Sequence, residues 1–286
     1  MSSMGINLRF KAFAIATACA VTLSAPSAAQ TASAGNKDGG GSTMVAKQPS
    51  EMQAAISKWE LLQKDTQLGF FDYSGFALAY PTFPRMEIIR IRAENALAVE
   101  APSRTDLLRY FDALPPLTNP GRARYAMALA AASREEAFET ARTAWRGGEM
   151  PEDIELTLES LYARQFTAED HAARMDALLW QGEAAAATRH MTHLSEADRP
   201  LAVVRLALVN GSLPGDVSLE VPEGAYLDAG FLYNLARLHY AQRTYDVAAS
   251  VLGNRIDVTA PAFDGEAMVG LMLSVAKKAS ATNAMR

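Results

Sequence analysis

The chain has 286 residues, a formal net charge of −5 and 49% hydrophobic residues, enough for one large or two ordinary domains with a substantial core. The acidic balance lacks the basic face of a nucleic-acid footprint. Alanine is abundant, valine and isoleucine are sparse and strand patterns are few, a composition that favours helices.

The first 29 residues read as an export signal. Arg9 and Lys11 form a basic start, an apolar run follows from Ala12 toward Leu23, and Ser27-Ala28-Ala29 before Gln30 supplies the small residues of a cleavage site. The apolar run is short for a membrane anchor, which needs about 20 residues. Cleavage removes two positive charges and no negative ones, taking −5 to −7. The single cysteine, Cys19, lies inside this segment. It could accept a lipid, although Ala16 stands where a leucine is usual. Its removal would leave no thiol and exclude disulfide chemistry. Residues 30–49 are Gly, Ser, Thr and Ala with few large apolar side chains, which reads as a flexible tether.

Helical spacing begins at Ser50 and runs from Glu51 to about Gln67, with Ile56, Trp59 and Leu62 on one face and Gly69 as the break. A short apolar segment, Phe70 to Tyr80, ends at Pro81 and Pro84. The next helix is expected from Pro84 to Ala98, with Ile88, Ile91 and Leu97 inward and Arg90, Arg92 and Glu94 outward. Ser103 caps Arg104 to Leu114. After Pro115-Pro116, Pro120 opens a helix through Ala132, and Ser133 with Glu136 reads as a capping box for Arg134 to Trp145. Gly147-Gly148 ends that helix, and Pro151 opens another to Gln165. From Tyr162 to Leu208 the pattern is helix, turn, helix, turn, helix. Thr167 and Ser195 each stand three residues before an aspartate, and Gly182 marks the middle turn. A looser crossing, Leu213 to Gly224, holds Pro214 and Pro222. Asp228 then caps Ala229 to Gln242, Thr244 caps Tyr245 to Leu252, and Asp264 starts a last helix to about Ala279.

Helices joined by such short turns usually lie antiparallel. Three hairpins share one layout: Ala128 to Ala141 turning at Ser133, Ala177 to His190 turning at Gly182, and Ala236 to Ser250 turning near Thr244. Each has a small residue early in its second helix, at Ala137, Ala186 and Ala248. Their spacing is unequal, so the expected fold is all-α, an irregular α-solenoid over residues 50–286 rather than a strict tetratricopeptide array.

Four of these stretches resemble the N-terminal superhelical domain of soluble lytic murein transglycosylases of Gram-negative bacteria. They are AYPTFPRMEIIRIRAENAL (Ala79 to Leu97), ARYAMALAAASREEAFETARTAWRGG (Ala123 to Gly148), FTAEDHAARMDALLWQGEAAAATRHM (Phe166 to Met191) and AGFLYNLARLHYAQRTYDVAASVL (Ala229 to Leu252). The Asp170-His171-Ala172-Ala173-Arg174 run through Trp180 and the pair Ala236-Arg237 carry the likeness. The resemblance implies a periplasmic protein whose superhelix bends into a ring or horseshoe and works on peptidoglycan glycan strands. In that family a separate lysozyme-like domain holds one glutamate that serves as acid and then as base, so that one carboxyl group replaces the pair of a hydrolase.

The family's Glu-Ser pair occurs at Glu159-Ser160, but inside an amphipathic run and with no downstream Ala-Tyr-Asn. Gly270-Leu271-Met272 is similar to its Gly-Leu-Met-Gln element, with Leu273 in place of Gln. The expectation is therefore no catalytic, cofactor-binding or metal-binding residues in this chain, no cofactor and no glycan cleavage by it alone. The chain reads as a scaffold whose last hairpin is cut short. His190 and His193 share a helix face but lack a third zinc ligand at motif spacing, so surface positions are expected for them and for His171. His239 is expected at a hairpin seam. Glu152, Asp153, Glu155 and Glu159 read as favourable charge at a helix start. Trp145 and Trp180 are expected in the core. The expected partners are glycan strands, with no nucleic acid and no membrane span after cleavage. The alternative is a non-catalytic helical-repeat adapter binding an envelope protein.

Overall fold

The computed structural model describes residues 50–253 and 258–284, the last four by backbone alone. The export signal and tether read over 1–29 and 30–49, and Cys19 with them, lie outside these residues. Among the described residues the structure is helical and contains no strand. The helices are α1 (Glu51–Lys64), α2 (Phe70–Ala79), α3 (Met86–Ala96), α4 (Arg104–Ala113), α5 (Asn119–Ala131), α6 (Ala137–Arg146) and α7 (Glu152–Tyr162). They continue with α8 (Ala168–Gln181), α9 (Ala184–His190), α10 (Arg199–Val209), α11 (Ala229–Ala241), α12 (Tyr245–Gly253) and α13 (Gly265–Ala284). The crossing between α10 and α11 contains two short 3-10 turns, Pro214–Val217 and Ala225–Leu227.

Helix starts follow the capping residues. Ser50, Ser103, Thr118 and Asp228 each accept a hydrogen bond from a first-turn N–H, and Asp264 accepts one from Ala267. Thr167 completes a full capping box: its hydroxyl accepts from the Asp170 N–H at 3.3 Å while the Asp170 carboxylate accepts from the Thr167 N–H at 3.0 Å. Each such cap is worth about 1 kcal/mol. Ser195 likewise accepts from the Asp198 N–H at 3.2 Å. Regular α-helix nevertheless starts only at Arg199, because Pro200 has no N–H to return to the preceding turn.

Helix stops share one device. Ser133, Gly182, Gly211 and Arg243 take left-handed backbone, with φ of 54°, 85°, 90° and 62°. In each case the next N–H bonds to a carbonyl five residues back, at 2.9–3.0 Å, as in a Schellman ending. The expected Ser133–Glu136 capping box does not form. Ser133 closes α5 instead of opening α6, Arg134 pairs with Glu136 at 2.8 Å, and α6 starts at Ala137. Thr244 gives its hydroxyl to the His239 carbonyl at 3.1 Å and meets the His239 ring at 3.0 Å, which ties the ring to its own hairpin turn.

The N-terminal helices differ most from expectation. The short apolar segment from Phe70, to which the sequence pattern assigns no element, is a helix to Ala79, and it buries Phe70, Tyr73, Phe76 and Ala77 at helical spacing. Helix α1 stops at Lys64, where Asp65 turns extended and accepts from the Gln67 N–H. Its inward face carries Leu62 and Ala55, while Ile56 is 42% exposed. Helix α3 turns Met86, Ile89, Ala93 and Leu97 inward, leaving Ile88 and Ile91 half-buried, and Glu94 is buried rather than outward.

Helices pack chiefly on their next and next-but-one neighbours in the chain: α2 on α3, α5 on α6, α11 on α12, then α3 on α5, α6 on α8 and α8 on α10. The core accordingly falls into successive clusters. One is centred on α2 to α4, one on α5 to α7, one on α8 and α9, and one on α10 and α11. Ala137, Ala141, Ala144 and Ala248 are buried at seams, where a small side chain lets backbones approach. In the middle hairpin the seam residue is Ala187, not Ala186, which is only half-buried.

Candidate functional site

The α6–α9 region buries charge. Arg174, from the middle of α8, lies beneath the Trp145 ring with its guanidinium carbon 4.3 Å from the ring centre. It donates to the carbonyls of Gly148 at 2.6 Å and Trp145 at 3.3 Å, where α6 ends, and pairs with Glu155 of α7 at 3.3 Å. Burial pulls the Arg174 pKa down and Glu155 opposes that. Glu155 also accepts from Arg189 of α9 at 2.9 Å. At the start of α8, Asp170 accepts from Arg142 at 2.8 Å. Burial raises the Asp170 pKa, but the Thr167 N–H and Arg142 outweigh it, so the carboxyl stays below its ordinary value. These charges come from four helices and tie the α6 ending to α7, α8 and α9. Most of their bonds go to one another and to helix ends, an architectural role, although the buried Arg174 Nε has no hydrogen-bond partner among the described residues.

The histidines lie together rather than on the surface. The rings of His171, His190 and His193 have centroids 4.9–5.3 Å apart, and His190 is 1% exposed. The His190 Nε2 lies 3.0 Å from the His171 carbonyl, and the His193 Nε2 lies 3.2 Å from Glu159. Burial, with Arg174 nearby, pushes the His190 pKa down to about 3. His171 is half-buried and also lowered by burial. Among the described residues no three His, Cys, Asp or Glu side chains are disposed to hold a metal ion. Glu159 is thus engaged with His193, and Ser160 beside it is exposed. Trp145 and Trp180 are both buried, Trp145 stacked on Phe166 at 4.6 Å and Trp180 on Tyr233 at 4.1 Å, which leaves neither face open to a sugar.

The open space lies elsewhere. Three cavities of about 460, 440 and 530 Å³ share walls along one groove. Ala98 and Arg124 stand between the first two, Val99 between the first and third, and Asn95 between the second and third. The end of α3, the middle of α5, the first turn of α7 and the start of α9 supply the rest of the wall. The α5 start is held there by Glu94, whose carboxylate accepts from the N–H groups of Leu117 at 2.8 Å and Thr118 at 2.6 Å. Gly121 permits this, since a Cβ there would run into that carboxylate.

Within the groove Arg124 is half-buried and, among the described residues, makes no hydrogen bond or ion pair. Burial lowers its pKa and Asp153 opposes that; a guanidinium nonetheless keeps its charge at neutral pH. Periodicity pointed to none of Glu94, Arg124 or Arg174. The available signal was a charge in phase with apolar residues: Arg174 lies one turn before Leu178 and one turn after the capping Asp170. No family model, no curated protein and no solved structure matches this chain.

Proposed function

We propose that this chain is an exported helical frame, an irregular α-solenoid that holds a peptidoglycan glycan strand along its groove while a lysozyme-like domain outside these residues cuts the strand. The observation that carries this reading is the order of packing. Helices meet mainly their next and next-but-one neighbours, and the core divides into clusters that follow the chain. Such quasi-one-dimensional stacking builds extended binding surfaces. The shared-wall groove and the lytic-transglycosylase-like hairpins add support.

The purified 286-residue chain is expected to sediment with murein sacculi and to release no anhydromuropeptides from them. A chain that stays in the supernatant overturns the glycan reading.

A second reading, an adapter for an envelope protein, draws on a different face. Val269, Met272 and Leu273 on α13 are 54%, 40% and 67% exposed, and Phe263 just before that helix is 43% exposed. Soluble monomers rarely leave large contiguous apolar patches uncovered. Retention of an envelope protein on immobilised chain, lost on Leu273→Glu, together with no sedimentation on sacculi, would select this reading.

A further inference from the structure

We propose that Arg124 anchors a carboxylate-binding site in the groove, and that its ligand is an amino sugar bearing a single free carboxylate, such as a muramic acid whose lactyl group carries no peptide. The choice of a sugar rests on the glycan-holding reading above; the carboxylate contact does not.

The first observation is the isolation of the guanidinium. Its arginine neighbours along the groove are committed. Arg104 donates to the Ala131 carbonyl at 2.8 Å, Arg92 to the Asp65 carbonyl at 2.9 Å, and Arg189 to Glu155 at 2.9 Å. Arg122, on the same helix, reaches Asn119 at 3.3 Å. Arg124 alone among these has its donors unused, although it is half-buried at the wall common to cavities of about 460 and 440 Å³. Removing a cation partly from water without a partner is unfavourable, and burial accordingly lowers the Arg124 pKa. A ligand carboxylate would replace the lost water with two parallel N–H···O bonds, which the planar fork of arginine favours. Either cavity is of a size that takes a small ligand.

The second observation is the charge around it. Asp153 lines one of the two cavities and Glu149 and Glu183 line the other; none forms an ion pair among the described residues. A polyanion would meet these acids as like charges. A monoanion can give its carboxylate to Arg124 while its hydroxyl and amide groups donate to the acids. Leu97, Met127 and Ile154 in the same wall offer apolar surface to a ring face. A singly charged, donor-rich ligand meets all of these requirements.

N-acetylmuramic acid and N-acetylglucosamine form a matched pair of probes, since they differ by one lactyl ether carrying the carboxylate. Titration of the full chain, followed by calorimetry or NMR, is expected to show the acid bound at least tenfold more tightly. Arg124→Gln is expected to abolish that preference and Arg124→Lys to restore part of it. Arg109→Gln, at an exposed pair on α4, is expected to leave it unchanged. Urea unfolding of each variant checks that the fold survives. Equal binding of the two sugars, or a preference that survives Arg124→Gln, overturns the anchor even if the chain sediments with sacculi. Arg124-dependent binding of lactate as tight as that of the sugar acid, without sedimentation, supports the anchor and overturns the glycan reading.

Discussion

The helices α1 to α4 and the helices α6 to α9 solve the same packing problem with different chemistry. The first group is aromatic. Phe70, Tyr73, Phe76, Tyr110 and Phe111 are all at most 2% exposed, and Phe70 meets Tyr110 edge-on at 5.3 Å. Its buried carboxylate, Glu94, is used to hold the start of α5. The second group is lined by alanine and buries Asp170, Arg174, Glu155 and His190. Large rings fill the space between helices and give offset or edge contacts. Alanine instead draws backbones together, which brings the uncapped carbonyl ends of short helices into the interior. Those carbonyls need donors, and side chains from later helices supply them. Arg174 serves Trp145 and Gly148, Gln181 serves Gly147 at 2.9 Å, and Asn234 serves Leu179 at 2.9 Å. Buried charge in the middle of this molecule is thus a consequence of close, alanine-lined packing.

Four measurements break or sharpen that contrast. The largest effect is expected at Trp145, which is fully buried and covers Arg174. Trp145→Ala should cost about 5 kcal/mol in urea unfolding, because it leaves a cavity and strips the ring from the buried Arg174 guanidinium. Phe70→Ala, in the aromatic region, should cost about 3 kcal/mol, since Phe71 and Tyr110 can close in from 5.4 and 5.3 Å. Equal costs would dissolve the distinction between the two regions.

Acid should separate them next. The His190 pKa is about 3 in the folded chain against 6.5 for a free imidazole. Above pH 6.5 the ring is neutral in both states. As pH falls from 6.5 toward 3, only the unfolded chain takes the proton, so stability falls by about 1.4 kcal/mol per pH unit. At pH 5 the loss is about 2 kcal/mol, and His190→Gln should flatten the profile. His171, also lowered by burial, acts in the same direction. Helices α1 to α4 contain no histidine, so their amide protection should hold over this window. Simultaneous loss of protection in both regions at pH 5 would mean that they unfold as one unit. The smallest effect is expected at Gly182. Its φ of 85° and the Arg237 guanidinium 3.0 Å from a built Cβ predict about 1 kcal/mol lost in Gly182→Ala.

Much of the frame was readable in the residues alone. Helix starts at Ser50, Ser103, Thr167 and Asp228, and stops at Gly148 and Gly182, are local events. A hydroxyl or carboxylate reaches an N–H three residues away, and a glycine takes φ above zero without strain. Burial of the two tryptophans followed from hairpin spacing. Ser133 went the other way because a left-handed C-terminal turn and a capping box start from the same serine, and only the placement of α6 decides between them.

What the tertiary structure decided was the fate of the charges. Glu94 and His190 have the chemistry of surface residues, and nothing within one turn of helix tells them apart from Arg109 or Glu139; Arg174 differs locally only in its phase with Leu178. Their partners lie 19 to 34 positions away in the chain: Thr118 for Glu94, Gly148 for Arg174, His171 for His190, and Arg189 for Glu155. The groove and the unpaired Arg124 are decided in the same way. A cavity belongs to the space between helices, and a side chain is left without a partner only once every neighbour has been placed. Local chemistry sets where each helix begins and ends, whereas the energy of a charge depends on what stands beside it and how much water remains.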